Sequence, residues 1–198
     1  MLRQGAAAWP DLKKFGITLS NLALSQVLVE KSTVLVGNPY AGDQTVNALS
    51  FDGAFATTIA VVDNDVTAAS DEFAYAVQLQ GGAGGSCADV DNNRLTTSCC
   101  PDPTVPGCVC GMMGWNDHNV AAFSTSFHTT LALRRNIVKM QGTGGSSIVQ
   151  IGAGFGAGTA LNVLGNDVDM GVTGLMNQGF ARWAASEPET VLIADNTL

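Results

Sequence analysis

Charge is scarce in this chain: only 13% of its 198 residues are Asp, Glu, Lys or Arg, where about 25% is ordinary. Cations are scarcer still, with 9 Lys and Arg against 17 Asp and Glu. Between Lys31 and Arg94 no Lys or Arg occurs, while Asp43, Asp52, Asp63, Asp65, Asp71, Glu72, Asp89 and Asp91 all fall there. Phosphate recognition needs Lys and Arg, so sequence-specific nucleic-acid binding is excluded from the expected partners. Arg134, Arg135, Lys139 and Arg182 are expected either to pair with acids of another copy or to lie on a solvated face. Disorder needs low hydrophobicity with high charge; at 46% hydrophobic residues the chain has the reverse balance. Its surface must instead be Ser, Thr, Asn, Gln, Gly and backbone, which suits permanent contact with neighbouring copies.

Other signals are missing too. The opening MLRQGAAAWPDLKKFG has no continuous apolar core of a secretory leader, so cytoplasmic synthesis without a signal peptide is expected. No run approaches the roughly 18 apolar residues of a membrane span, so no membrane insertion is expected. Only two histidines occur, His118 in WNDHN and His128. Neither stands in a catalytic pattern. The nearest approach to a nucleophile elbow, GGSCA at 84–88, lacks the closing Gly of G-x-S-x-G. Pairing Cys110 with His118 rests on sequence proximity alone. Paired carboxylates for glycoside hydrolysis are defined by separation in space, which 17 acids in a sequence do not fix.

Strand signals dominate what is present. Phe73, Tyr75, Val77 and Leu79 alternate with Ala74, Ala76, Gln78 and Gln80, the period of a half-buried strand. Phe123 to Leu133 alternates in the same way and predicts one long strand. The runs at 32–37, 54–62, 146–151 and 190–195 are rich in β-branched residues. Pro10 and Asp11 open either a short N-terminal helix or an arm, after which ITLSNLALSQVLV reads as strand. Residues 159–186 are ambiguous, and the NDV recurring at 64–66 and 166–168 is too short to define a repeat. The fold expected is all-β, a single β-sandwich or β-barrel domain over 1–198.

Five cysteines, Cys87, Cys99, Cys100, Cys108 and Cys110, crowd one segment. Their CC and C-x-C spacing matches no zinc knuckle, so no metal is expected and disulfides within the segment are. With an odd number, one thiol is left free or intermolecular. The glycine-rich joints at 81–85 and 142–147 flank this region, and residues 81–119 are expected to project as an ordered cysteine-rich loop. Disulfides also place the mature protein outside a reducing cytosol.

Two motifs imitate ligand sites. IGAGFGAG at 151–158 satisfies G-x-G-x-x-[GA], but Gly165 and Gly171 interrupt the helix that a dinucleotide turn requires. It reads instead as a glycine-thinned strand or turn, and no cofactor is expected. DVDNN (89–93) and NDVDMG (166–171) resemble cation loops, yet Arg94 and Cys100 occupy the positions where an EF-hand from Asp89 needs Gly and Glu. Turn-forming Asx residues account for both.

These readings converge on a non-enzymatic structural subunit of a large assembly. A virion fits cytoplasmic synthesis followed by extracellular existence, with the chain as capsid decoration (cement) protein or tail-tube subunit. A cell-surface filament or adhesin subunit joined through strand edges is the second expectation, and a small β-sandwich hydrolase the third. The expected partners are copies of the chain itself and other structural proteins of the same assembly.

Overall fold

The computed structural model describes residues 2–4, 14–37, 45–52, 56–70, 73–80, 86–99, 119–125, 129–142, 145–151, 160–172, 177–182 and 190–197. Among them lie eighteen strands and no helix, gathered into three six-stranded sheets. Sheet 1 holds β1 (Leu2–Gln4), β4 (Thr33–Gly37), β7 (Asp65–Ser70), β10 (Arg94–Cys99), β13 (Ile137–Gly142) and β16 (Asp167–Val172). Sheet 2 holds β2 (Lys14–Ser20), β5 (Thr45–Asp52), β8 (Phe73–Gln80), β11 (Asn119–Thr125), β14 (Gly145–Ile151) and β17 (Asn177–Arg182). Sheet 3 holds β3 (Gln26–Glu30), β6 (Thr58–Val62), β9 (Ser86–Asp91), β12 (Thr129–Arg134), β15 (Ala160–Leu164) and β18 (Thr190–Ala194).

Every strand pairs in parallel with the third strand before or after it. A parallel pair needs a crossover, and here the crossover is the two intervening strands. The chain therefore winds as a β-solenoid, visiting sheets 2, 3 and 1 once per coil. The all-β class read from the sequence holds. The arrangement inside it is neither an antiparallel sandwich nor a barrel, because pairing is parallel and, among the described residues, each sheet is an open row of six strands.

The corner between sheets 3 and 1 takes two residues in each coil. Its first residue is left-handed at Lys31, Asp63, Asn92, Arg135, Gly165 and Asp195, with φ between 48° and 62°. Only glycine adopts this region freely; other residues give up roughly 1–2 kcal/mol there. The second residue offsets that cost. It is Asn64, Asn93, Asn136, Asn166 and Asn196 in successive coils, with Ser32 in the first. The backbone N–H of Asn64 donates to Oδ1 of Asn93 at 2.9 Å, and that of Asn93 to Oδ1 of Asn136 at 2.9 Å. Asn136 repeats the bond to Asn166, and Asn166 to Asn196. Each Asn Nδ2 also reaches a carbonyl one coil back, as in Asn93 to Val61 at 2.8 Å and Asn136 to Val90 at 2.8 Å. Buried amides are thereby satisfied along the whole corner.

This ladder corrects the reading that the chain has no internal repeat. The two NDV triplets are members of it, Asn64 and Asn166 occupying equivalent corners. Consecutive ladder members stand 29, 43, 30 and 30 residues apart. Only a short motif, Asn-x-aliphatic after a left-handed residue, recurs at that uneven interval.

Aliphatic columns fill the interior. Ile59, Ala88, Leu131 and Leu161 align across sheet 3, and so do Val61, Val90, Leu133 and Val163. Val34, Val66, Leu95, Val138 and Val168 align across sheet 1. All are buried and belong to one core. Each Val, Leu or Ile among them contributes about 1.5–3 kcal/mol when fully buried, and the β-branched shape of Val and Ile suits the pleat.

Sheet 2 departs from simple alternation. Its registers skip one residue per strand, running from Asn47↔Tyr75 to Leu49↔Val77 and from Phe15↔Asn47 to Ile17↔Leu49. The skipped residues are Gly16, Ala48, Ala76, Ala122, Ile148 and Gly179, so a small residue marks the bend in every strand of the sheet but β14. Ala74, Ala76 and Val77 all face the core, whereas the sequence pattern assigns Tyr75 and Val77 to one face. The predicted single strand from 123 to 133 is likewise two strands, β11 and β12, in different sheets.

Within the segment expected to project, β9 and β10 belong to the solenoid body; residues 100–118 lie outside the described residues. Lys14–Ser20 is strand, and the N-terminal helix or arm expected before it falls on residues outside those described. Residues 159–186, ambiguous in sequence, supply β15, β16 and β17.

Candidate functional site

The densest polar constellation is a bracket at the sheet 3–sheet 1 corner. Parallel register sets Arg134 on β12 beside Asp91 on β9, with Asp89 two residues earlier on the same face. Arg134 forks onto Asp89, its Nε donating to Oδ1 at 3.1 Å and its Nη2 to Oδ2. Arg135, the left-handed corner residue, forks onto Asp91, with Nε to Oδ1 at 2.9 Å and Nη2 to Oδ2. Arg134 Nη2 also stands 3.8 Å from Asp91 Oδ2, which joins the pairs. The hydrogen bond and charge of Asp91 raise the Arg135 guanidinium above its ordinary pKa. In the neighbouring coil Asn92 Nδ2 donates to Asp63 Oδ1 at 2.6 Å.

Of the four cations expected either to pair with acids of another copy or to lie on a solvated face, Arg134 and Arg135 are engaged within the chain. Lys139 is exposed on sheet 1 between Thr96 and Asp169 in register. The DVDNN segment supplies Asp89 and Asp91 to the bracket and Asn92 and Asn93 to the corner. Among the described residues no group of three His, Cys, Asp or Glu could hold a metal ion.

Of the cysteines, Cys87 is an exposed free thiol on β9, between Thr58 and Thr130 in register. Cys99 ends β10. Cys100, Cys108, Cys110, both histidines and the glycines of 152–158 lie outside the described residues.

The second feature is the end of the solenoid at β18. Val191 and Ile193 continue the columns of Leu161 and Val163, which are 3% and 1% exposed. Val191 and Ile193 are themselves 52% and 51% exposed, because no described coil follows them. Asn196 closes the ladder on the Asn166 side at 2.9 Å, and among the described residues no oxygen accepts from its own backbone N–H. At the other end Leu28, outward on β3, is 60% exposed. The sequence reading missed the ladder, the bracket and the open end together, because all three need the coil register. The signal that does reach them is the recurring corner: DNDV (63–66), NNRL (92–95), RNIV (135–138), GNDV (165–168) and DNTL (195–198).

No protein-family model, curated protein or solved structure matches the chain.

Proposed function

We propose that the chain is a non-enzymatic structural subunit of a large extracellular assembly, a rod-like element of a virion or of a cell-surface filament. The observation that supports it is the continuous stack, in which main-chain pairing, the asparagine ladder and the aliphatic columns all run along one axis. Coils spaced about 4.8 Å apart build a stiff element whose length grows with each turn of chain. Such a body holds a fixed spacing between its ends, which is what a fibre, spike or filament asks of its parts. Within the same class, capsid decoration and tail-tube roles fit less well, since they call for a broad contact face more than for length. Scarce surface charge lowers the desolvation cost of lasting contacts.

Density-gradient fractionation of native material, followed by immunogold electron microscopy, tests the reading. Label on particles or filaments is the expected result. A chain recovered only as a free soluble monomer that turns over a small substrate overturns it.

A further inference from the structure

We infer that the outward face of sheet 3 binds the same face of a second copy, the two solenoids lying side by side and antiparallel about a two-fold axis between β9 and β12. This deepens the structural reading above, on which it rests, by naming the partner and the surface it meets.

Residues that alternate with the buried columns of sheet 3 point outward. The register arranges them in three rows, which run from Gln26, Leu28 and Glu30 on β3 to Thr190, Leu192 and Ala194 on β18. Much of this outer face is apolar. Leu28 and Leu192 are 60% and 49% exposed, Val62 and Leu164 are half-buried, and Ala60, Ala132, Ala160 and Ala194 keep the relief low. Its central acids are already engaged, Asp89 by Arg134 and Asp91 by Arg135. Covering them therefore costs less than covering free carboxylates. Six strands about 4.8 Å apart, each about five residues long, make a patch of about 500 Å² on each copy. A total near 1,000 Å² is about the lower bound of a specific interface.

The order of residues along the rows fits a two-fold. Turning the face over about an axis parallel to the strands, between β9 and β12, sets β3 against β18 of the other copy, β6 against β15 and β9 against β12. Each row stays on itself, and the two sheets pack with their strands nearly aligned. Leu28 then meets Leu192 of the other copy, and Val62 meets Leu164. Every alanine of the face meets a larger side chain: Ala60 meets Asn162, Ala132 meets Asp89, Ala160 meets Thr58 and Ala194 meets Glu30. At the centre Asp91 meets Arg134. The symmetry makes each of these contacts twice.

Other alignments lose the match. A shift of one coil in one direction sets Asp89 and Asp91 against themselves, and in the other direction it sets Arg134 against itself. Laying the solenoids parallel with the rows fully overlapped sets Asp89 against Asp89. Like charges so placed disfavour all three alternatives.

Sedimentation velocity of the full chain from about 1 to 200 µM tests this, the range in which an interface of this size associates. Wild-type protein is expected to pass from monomer to dimer and to stop there, because a two-fold is closed. Leu28→Asp and Leu192→Lys each set a charge against a leucine in two places. Each is expected to weaken the dimer by at least about tenfold. The double variant, with both substitutions on one chain, sets opposite charges at both places and is expected to regain the dimer. Both positions are about half exposed, and circular dichroism with thermal melting checks that each variant folds. A wild type that is monomeric across the range overturns the inference, as does growth beyond dimers or a double variant no tighter than either single one. A monomeric wild type whose native form sits in a particle leaves the structural reading standing. A dimer found free and turning over a small substrate upholds the interface and sinks that reading.

Discussion

Gly16 stands at the inside of the bend in β2, and a Cβ there would lie 2.5 Å from the Ala48 carbonyl oxygen and 2.6 Å from Val36 Cγ2. Backbone on one side and a packed core on the other leave little room to yield. Gly16→Ala is therefore expected to destabilise by about 1–3 kcal/mol, the range of overpacked cores, read as a lowered urea midpoint. Thr97 presents the opposite case. It is buried in the core of sheet 1, and its hydroxyl has no hydrogen-bond partner among the described residues. Thr97→Val keeps the shape and removes an unsatisfied group, so a gain of about 1 kcal/mol is expected; an unchanged or lowered midpoint would count against that account. Neither residue was legible in the sequence. Only the register shows what faces the core at either position.

At the scale of the element, the β9–β12 bracket unites two ion pairs of unequal worth. Asp91 has a side chain only 11% exposed, against 38% for Asp89. An exposed pair contributes about 0.2–1 kcal/mol and weakens with salt. Arg134→Ala is expected to fall in that range, with the loss shrinking at high salt. Asp91→Ala removes a largely buried carboxylate that accepts from Arg135 and stands 3.8 Å from Arg134, and should cost more, about 1–2 kcal/mol. Urea midpoints at low and high salt decide it: equal losses for the two variants would mean that the bracket is mere surface charge. Sequence inspection found several elements here and lost their connections. The runs at 32–37, 54–62, 146–151 and 190–195 each contain a strand, since β-branched clustering is local. The division of 123–133 into β11 and β12 is hidden because alternation looks the same in strands of different sheets.

Across the whole molecule, a solenoid differs from a globular domain in that each coil touches only its neighbours. Protection should therefore depend on position along the stack. Interior corners such as Asn93 exchange hydrogen bonds with coils on both sides, whereas Asn196 is bonded on one side only. Asn93→Ala strands the N–H of Asn64 and the carbonyl of Val61, and a loss of about 3 kcal/mol is expected. Asn196→Ala removes support from the final coil alone, and about 1 kcal/mol is expected, confined to local fraying. Amide hydrogen exchange on the wild-type chain separates these cases without mutation. Amides of β8 and β10 should exchange only with global unfolding, and those of β18 several hundredfold faster, in keeping with a difference of roughly 3–4 kcal/mol. Uniform protection from β8 to β18 in dilute protein would show a body unfolding as one unit and would refute the coil-by-coil account.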